Sequence, residues 1–336
     1  MEIREMGEFG LIERIESKLS FSHQDIIKGI GDDACVTEIQ EGRLLLATSD
    51  ALVEDVHFEL KLTSPYSLGK KSLAVNISDI AAMGGIPKFF LISLGIPSNI
   101  SVEFIDNFVS GLVEVAKFFE TYAVGGNTSS SPEKLTINIT VLGEALPGHI
   151  IYRDNATIGD QIFVTGNLGD SALGLKILKS RTSPTKVEEK FQDLVERHCS
   201  PTPRVFEGKL IAENLVASAM IDISDGLVSD LWHICRQSMV GAKIWLEKLP
   251  VSEIFRKYSQ EFTESPMDLA LSGGEDYELL FTVNKENLDL LDKIKDEFQT
   301  KVTHIGEVVE PAHGISVFDP SGRRYPLKTK GFDHFL

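Results

Sequence analysis

The chain has 336 residues, of which 42% are hydrophobic and 25% charged, and its formal net charge is −17 at pH 7. This length and composition are typical of a globular protein with one large or two ordinary domains. The negative charge argues against binding to a nucleic-acid backbone, because such binding depends on clusters of lysine and arginine. We therefore predict no nucleic-acid partner.

The three cysteines, Cys35, Cys199 and Cys235, indicate neither a disulfide framework nor a zinc site, because their number is odd and no two form a C-x-x-C pair. A reducing, cytoplasmic location fits this usage. The first 16 residues are charged throughout, which predicts no secretory signal. No apolar run approaches the roughly 18 residues of a membrane span, so we predict no membrane association.

Strands and helices alternate along the first half of the predicted structure. The spacing of apolar residues predicts a short amphipathic helix over 8–19 and a longer one around 72–81, which Gly84-Gly85 ends. A third helix begins after Ser101, a capping residue. Strands are predicted over 43–49, 89–96, 122–126 and 135–141.

Pro147-Gly148 marks the predicted boundary between two domains, residues 1–148 and 149–336. The second domain repeats the mixed character of the first. Its strands are predicted over 161–166, 220–223, 278–283 and 302–309, and its helices over 168–179, 205–216, from 227, and 286–298, with a loop over 182–190. Together the elements predict an α+β fold in which helices cover mixed sheets.

Carboxylates beside turn-forming residues recur along the chain. They stand in Gly31-Asp32-Asp33, Thr48-Ser49-Asp50, Ser78-Asp79, Asp222-Ile223-Ser224-Asp225-Gly226 and Gly273-Gly274-Glu275-Asp276. Short carboxylate arms on tight backbone suit hard cations such as Mg²⁺, which retain waters and accept substrate phosphates as further ligands. The helix that begins at Leu227 also favours an anion at its N-terminus. The pattern predicts a site that holds a nucleotide through metal ions.

Each of these motifs also has an explanation that needs no ligand. Asp50 could cap a turn, Asp222 could form a salt bridge, and Asn76 and Asp79 could be a solvated stripe on their helix. His57 would by default be a structural histidine. The sequence contains neither a P-loop nor a dinucleotide-binding glycine motif, and no Ser/His/Asp or Cys/His order indicates nucleophilic catalysis.

Six segments in this order resemble those of the thiamine-monophosphate kinases, a family of the AIR-synthetase-like (PurM-like) superfamily. They are GIGDDA, LAVNISDIAAMGGIP, PTPR, IDISDGLVSDL, LSGGEDYELLFT and KGFDHF. The resemblance implies a two-domain α+β fold with helices on one face of each mixed sheet, and a homodimer whose N-terminal domains form an inter-subunit β-barrel. It also implies ATP-dependent phosphorylation of thiamine monophosphate to thiamine diphosphate with several Mg²⁺ ions.

The resemblance also implies roles for individual residues. The metal ligands would be Asp33, Thr48, Ser49, Asp50, Asp79, Asn127, Asp222 and Asp225. The ATP contacts would be Gly126, Asn127, Arg153 and Ser224, and the thiamine-phosphate pocket would contain His57, Glu275 and Phe332. No residue is expected to act as an acid–base or covalent catalyst, because the acceptor is already a phosphate and needs only positioning and charge neutralisation. An acidic, aromatic pocket suits the cationic thiazolium of the substrate.

The sequence departs from the family pattern at three positions. Asn127 stands where the family usually has Asp, and Asp55 and Ser131 stand where many members have Gly and Arg. The carboxylate missing at position 127 leaves open a catalytically impaired nucleotide-binding module of the same fold. Another ATP-dependent enzyme of the superfamily, such as AIR synthetase, is a further alternative. Selenophosphate synthetase and the hydrogenase-maturation dehydratase would need reactive cysteines that this sequence lacks.

Overall fold

The computed structural model describes residues 26–28, 35–38, 42–180 and 187–327. The predicted helix over 8–19 and the segments GIGDDA and KGFDHF, with Asp33 and Phe332, lie outside these residues. In the part of the chain that the structure describes, no helix combines the length and hydropathy needed to cross a membrane.

Six strands form the first sheet, in the spatial order β1-β2-β3-β6-β4-β5. Their bounds are β1 Ile26–Lys28, β2 Cys35–Glu38, β3 Leu44–Val53, β4 Ile86–Pro97, β5 Tyr122–Ser131 and β6 Thr136–Ala145. Only β4 and β5 pair in parallel. Two helices, α1 (Pro65–Ala82) and α2 (Val102–Phe118), pack on one face of the sheet around a shared apolar core.

The sequence of β6 shows why this sheet has one covered face. Ile137, Ile139 and Val141 are buried and alternate with half-buried polar residues, which is the period of a strand with one face on a core. Helix α1 is instead buried on almost every side. A Cβ atom at Gly208 would lie 2.1 Å from the carbonyl oxygen of Ala81, so α1 also packs closely against the second domain.

The second sheet has the spatial order β12-β9-β11-β7-β10-β8, and only β12 and β9 pair in parallel. Its strands are β7 Gln161–Thr165, β8 Ala219–Asp222, β9 Gly241–Trp245, β10 Leu279–Val283, β11 Val302–Val309 and β12 Ile315–Phe318. The helices of this half are α3 Asp170–Lys179, α4 Gln192–Cys199, α5 Val205–Glu213, α6 Leu227–Ser238, α7 Glu253–Tyr258, α8 Pro266–Ser272 and α9 Leu288–Ile294.

The observed elements confirm the α+β prediction and correct some of its details. Strand β11 has the predicted bounds, whereas β3, β4 and β5 extend beyond theirs. The predicted helix over 286–298 is wrong in its length, because α9 is flanked by 3₁₀ turns. The sequence patterns did not indicate β1, β2, β9, β12, α4, α7 or α8.

Candidate active site

A cleft of about 880 Å³ lies between the two halves of the chain. Its walls come from β3 and the loop after it, α1, α3, the end of α4, and the two acidic loops of the second half. Among the lining residues are the predicted Asp50, His57, Ser224, Asp225 and Glu275. The structure therefore brings residues from widely separated parts of the sequence to one place.

Two carboxylates near the cleft, Asp79 and Asp222, are held by hydroxyl groups. Thr48 Oγ1 donates to Asp79 Oδ2 at 2.5 Å, and Ser78 Oγ donates to Asp222 Oδ2 at 2.6 Å. Asp222 is only 2% exposed. Burial raises the pKa of Asp79 well above its ordinary value, and the charges of Asp50 and Asp222 raise it further. Burial also raises the pKa of Asp222, so both carboxylates would be stabilised by an added cation.

Strand β3 directs alternate side chains to opposite faces of the first sheet. Asn76 Oδ1 accepts a hydrogen bond from the backbone N–H of Asp50 at 2.9 Å, and Asn76 is buried. The solvated-stripe explanation is therefore wrong for Asn76. Ser49 lies between Thr48 and Asp50 on β3, and its hydroxyl is 2.8 Å from Thr140 Oγ1 on the opposite face of the sheet. The Ser49 side chain is thus separated from the other two.

The two acidic loops of the second half are fixed to each other by backbone hydrogen bonds. The N–H of Glu275 donates to Ser224 O at 2.7 Å, and the N–H of Tyr277 donates to Ile223 O at 2.9 Å. A Cβ atom at Gly274 would lie 2.5 Å from Ser224 O, so the close approach of the loops requires a glycine there. This pairing holds Glu275 beside the end of β8.

Asp230 supports the same turn, although the sequence did not single it out. Its Oδ2 accepts hydrogen bonds from the backbone N–H groups of Asp225, at 3.1 Å, and Gly226, at 3.0 Å. Burial raises the pKa of Asp230 well above its ordinary value, with the charges of Asp225 and Asp222 adding to the effect. Asp230 follows Asp225 by five residues and lies on the buried face of α6. This position was the available indication of its role in supporting the turn.

Glu275 lies in a different environment, because a lysine and an imidazole contact it. Lys71 Nζ is 2.6 Å from Glu275 Oε1, and His198 Nδ1 is 3.1 Å from Glu275 Oε2. Burial alone would raise the pKa of Glu275, but Lys71 and His198 together hold it well below its ordinary value. Burial, together with the charge of Lys71, lowers the pKa of His198, so its imidazole is neutral at pH 7.

The neighbouring acids in the same motif stabilise the fold. Glu278 is fully buried, and Arg204 of the PTPR segment donates from Nε to its Oε2 at 2.6 Å. Thr165 Oγ1 donates to the same oxygen at 2.7 Å. Asp276 accepts from the backbone N–H of Gly169 at 2.7 Å and so caps the beginning of α3. A structural ion pair therefore joins two of the most distinctive motifs, PTPR and LSGGEDYELLFT.

His57 and Asp55 lie on the loop that follows β3. His57 Nδ1 accepts a hydrogen bond from the backbone N–H of Val53 at 3.0 Å, so in the neutral ring the proton is on Nε2. Asp55 has a φ of +67°, a left-handed conformation that favours glycine. Its carboxylate forms an ion pair with Lys134. This geometry is consistent with the glycine that the family resemblance implies at the same position.

The predicted residues of β5 lie away from the carboxylates of the cleft. Asn127 pairs with Ser93 on β4, and that row continues across β6 to Ala51 on β3, three strand spacings or about 14 Å away. Since Ser93 is exposed on the face opposite α1 and α2, Asn127 shares that outer face. A Cβ atom at Gly126 would lie 1.9 Å from Ile92 O, so strand packing requires glycine at this position.

Arg153 brings positive charge near the carboxylates of Asp222 and Asp230. Its charge opposes the effect of burial on the pKa of both Asp222 and Asp230. Among the described residues, no three carboxylate, imidazole or thiolate side chains converge closely enough to hold a metal ion by themselves. The donor set nevertheless fits Mg²⁺, which takes few protein oxygens and completes its shell with water and phosphate.

Comparisons with known proteins agree with this arrangement. The family model for the N-terminal domain of AIR synthase related proteins matches residues 31–145, and the C-terminal model matches residues 157–319. The thiamine-monophosphate kinase of Bacillus subtilis (strain 168) is 38% identical over 330 residues, which cover 98% of this chain and 100% of the relative. The chain belongs to the thiamine-monophosphate kinase family.

Two further relatives of the thiamine-monophosphate kinase family support the assignment. The enzyme of Aquifex aeolicus (strain VF5) is 39% identical over 339 residues and covers both chains fully. A solved structure described as AaThiL complexed with AMPPCP and TMP is 38% identical, with a TM-score of 0.85 and 99% of both chains covered. The match in sequence and in three dimensions extends over the whole two-domain fold.

Proposed function

We propose that this protein transfers the γ-phosphoryl group of ATP to thiamine monophosphate and releases thiamine diphosphate and ADP. The observation that carries this proposal is the full-length similarity to thiamine-monophosphate kinases, including the complex with an ATP analogue and TMP. The cleft supports it physically, because the carboxylates of Asp50 and Asp225 suit metal-bound phosphates and the same cleft combines apolar side chains with Lys71, Glu275 and His198.

The region around the carboxylates in and near the cleft is the proposed Mg²⁺ site. Asp33, Thr48, Ser49, Asp50, Asp79, Asn127, Asp222 and Asp225 are its proposed ligands. Bound Mg²⁺ would neutralise phosphate charge during transfer. The side chains of Ser49 and Asn127 lie on the outer face of the first sheet. A metal ion that they bind would therefore occupy a different position from one that Asp79 binds.

The protein's own contribution to transfer is positioning. Thr48 and Ser78 fix the carboxylates of Asp79 and Asp222, and Asp230 fixes the turn at Asp225. Gly126, Arg153 and Ser224 are the proposed ATP contacts. Because the acceptor oxygen already belongs to a phosphate, we propose direct in-line transfer without a covalent intermediate on the protein.

The acceptor pocket is proposed to contain His57, Glu275 and Phe332. His57 Nε2–H is a hydrogen-bond donor in the neutral ring, and Glu275 is an ionised carboxylate suited to a cationic ring. His57→Ala should therefore weaken binding of thiamine monophosphate and leave ATP binding largely intact. A loss of ATP affinity as large as that of thiamine monophosphate would remove His57 from the acceptor pocket.

We also propose a cytoplasmic homodimer whose N-terminal domains, residues 1–148, form an inter-subunit β-barrel, with residues 149–336 as the second domain. Exposed apolar side chains on β4 and β5 support it: Phe89 is 45% exposed and Tyr122 is 63% exposed. Strand β5 is also an edge of the sheet. Light scattering tests the dimer, and Tyr122→Lys should shift the molecule toward the monomer.

The activity is tested by incubating the protein with ATP, Mg²⁺ and thiamine monophosphate and separating the products. We expect thiamine diphosphate and ADP in equal amounts, with no AMP. Little ADP should form when the acceptor is omitted, because transfer is direct. ATP binding without product that Asn127→Asp restores would indicate an impaired enzyme of this fold. AMP formation would indicate a different chemistry of the superfamily.

A further inference from the structure

Lys71 is a buried cation at the base of the cleft, with a side chain only 4% exposed. It shares one face of α1 with Leu68 and Val75, which also line the cleft. Its ammonium group lies 2.6 Å from Glu275 Oε1, so this ion pair joins α1 of the first domain to an acidic loop of the second. Because burying the Lys71 ammonium is costly, although Glu275 remains 27% exposed, this ion pair needs a physical reason.

Both oxygens of Glu275 are already engaged before any substrate arrives. Oε1 contacts Lys71, and Oε2 contacts the neutral imidazole of His198. Ser171 Oγ lies 3.1 Å from the same His198 nitrogen, which further restrains the ring. Burial favours the uncharged carboxylic acid at Glu275, whereas Lys71, the largest opposing influence, favours the carboxylate together with His198. The charge on Glu275 therefore depends largely on Lys71.

The surroundings of Glu275 suit an aromatic ring that carries positive charge. Leu68, Val75, Leu175 and Leu269 line the cleft beside the ion pair. The Glu275 side chain is 27% exposed, so a ligand can reach it, and a fixed carboxylate beside apolar walls attracts a cation more strongly than one in open solution. The carboxylates of Asp50 and Asp225 lie in the same cleft, where the phosphate end of the acceptor would meet the donor.

We propose, on the basis of the proposed function, that Lys71 is a positioning residue of the acceptor pocket. It keeps Glu275 as an oriented carboxylate that binds the thiazolium ring of thiamine monophosphate. Lys71 acts through Glu275 and does not contact the transferred phosphoryl group. Removing its charge should therefore affect the binding of the acceptor far more than the binding of ATP.

The test compares Lys71→Met and Lys71→Arg with a matched control, Lys70→Met. Lys70 is the next residue of α1 and also reaches the second domain, through Glu196 Oε1 at 3.5 Å, but it lines a different cavity. We expect Lys71→Met to raise the KM for thiamine monophosphate about tenfold or more and to change the KM for ATP less than about threefold. Lys71→Arg should recover most of the loss, and Lys70→Met should resemble the unaltered protein.

A second ligand distinguishes electrostatic attraction of the positively charged ring from packing against that ring. An analogue of thiamine monophosphate in which a neutral thiophene replaces the thiazolium has the same shape without the charge. Its inhibition constant should be nearly the same for Lys71→Met and the unaltered protein. Should Lys71→Met fold poorly, the double variant Lys71→Met/Glu275→Gln removes both buried charges and should fold, because breaking only one partner is what destabilises most. It should bind the thiophene analogue normally and thiamine monophosphate weakly.

These outcomes distinguish this inference from the proposed function. An unaltered protein that neither produces thiamine diphosphate nor binds thiamine monophosphate in calorimetry overturns both. An active protein whose KM for thiamine monophosphate is insensitive to Lys71→Met overturns the role of Lys71 alone. Equal losses for ATP, the thiophene analogue and thiamine monophosphate would show that Lys71 only supports the fold, which also contradicts the inference.

Discussion

Two groups of carboxylates lie in or near the cleft, and their partners differ. Asp79 and Asp222 are held by the hydroxyls of Thr48 and Ser78, and their pKa values are raised by burial. Glu275 and Glu278 are instead held by the cations Lys71 and Arg204. All four come from motifs that look alike in the sequence, since each is an acid beside a turn or at a strand end.

The difference in partners indicates which of these carboxylates would bind a metal cation. A buried carboxylate whose side-chain hydrogen bond comes from a hydroxyl group, and which has no lysine or arginine ion pair, remains costly to ionise, and a divalent ion would relieve that cost. A buried carboxylate paired with lysine or arginine is already compensated, and losing it leaves an unpaired charge. The first group should therefore matter for binding and transfer, and the second for stability or for the shape of the acceptor pocket.

The largest expected effect is on activity, at Asp222. Asp222→Asn should lower kcat/KM about a hundredfold or more, because a metal ligand that supports several kcal/mol of charge stabilisation is lost. In the absence of Mg²⁺ its free energy of unfolding should not fall, since the amide needs no ionisation in a buried site. Steady-state kinetics and urea unfolding measure the two quantities. Asp289→Asn, at an exposed position on α9, is the matched control and should change neither.

The next largest effect is on stability, at Glu278. Glu278→Gln should lower the free energy of unfolding by about 3–5 kcal/mol, because it leaves Arg204 buried without its counter-ion. Replacing both residues by methionine should recover much of that loss. Urea unfolding of the two variants gives the values. A loss below about 1 kcal/mol for Glu278→Gln would mean that this pair does not stabilise the fold as the comparison requires.

Asp170 has both kinds of partner, a hydroxyl group and a cation. The pH dependence of stability tests its ionisation. Burial raises its pKa from 3.8 to about 6, opposed by a hydrogen bond from Ser252 and by the charge of Arg197. The unfolded chain releases this proton near pH 4, whereas the folded protein releases it near pH 6. The folded state therefore loses stability as pH rises through this window.

Asp170→Asn should remove that loss. The stability of the variant relative to the unaltered protein should increase between pH 4 and pH 6, by up to about 3 kcal/mol, and stay constant above. Urea unfolding at several pH values measures the difference. A difference that does not change with pH would show that Asp170 ionises in the folded protein as it does in the unfolded chain.

The smallest expected effect is at Asn127, which belongs to neither group. If its side chain reaches a metal, Asn127→Asp should lower the Mg²⁺ concentration for half-maximal activity by about fivefold, since one added charge contributes about 1 kcal/mol at a partly exposed site. Asn127→Ser is the uncharged control. An unchanged Mg²⁺ dependence would remove Asn127 from the metal shell.

The fold was largely predictable because its main elements have strong periodicity. Apolar and polar residues alternate strictly along β6, and glycines mark the end of α1 and the loop before β7. Strands β9 and β12 were missed because they are short and Lys243 and Ser316 interrupt their apolar runs, whereas the equally short β7 and β10 contain unbroken apolar runs. The proposed site residues lay in recognisable motifs, and most of the described ones line the cleft or lie beside it.

The partners of those residues were harder to predict from sequence. Lys71 and His198 meet Glu275 only because α1, α4 and an acidic loop pack together, and no local pattern encodes this contact. A lysine in line with the buried face of a helix was the available indication. The separation of Ser49 and Asn127 from Asp79 likewise follows from sheet pairing, which sequence motifs do not specify.

The most direct test of the comparison is calorimetric titration with Mg²⁺ and the non-hydrolysable analogue AMPPCP. The account predicts that Asp79→Asn and Asp222→Asn weaken binding of the metal–nucleotide complex by about tenfold or more, whereas Glu275→Gln weakens it less than about threefold. Equal weakening by Glu275→Gln and Asp222→Asn, or undiminished binding in Asp222→Asn, would contradict the claim that the hydroxyl-held carboxylates are the ones that bind the metal.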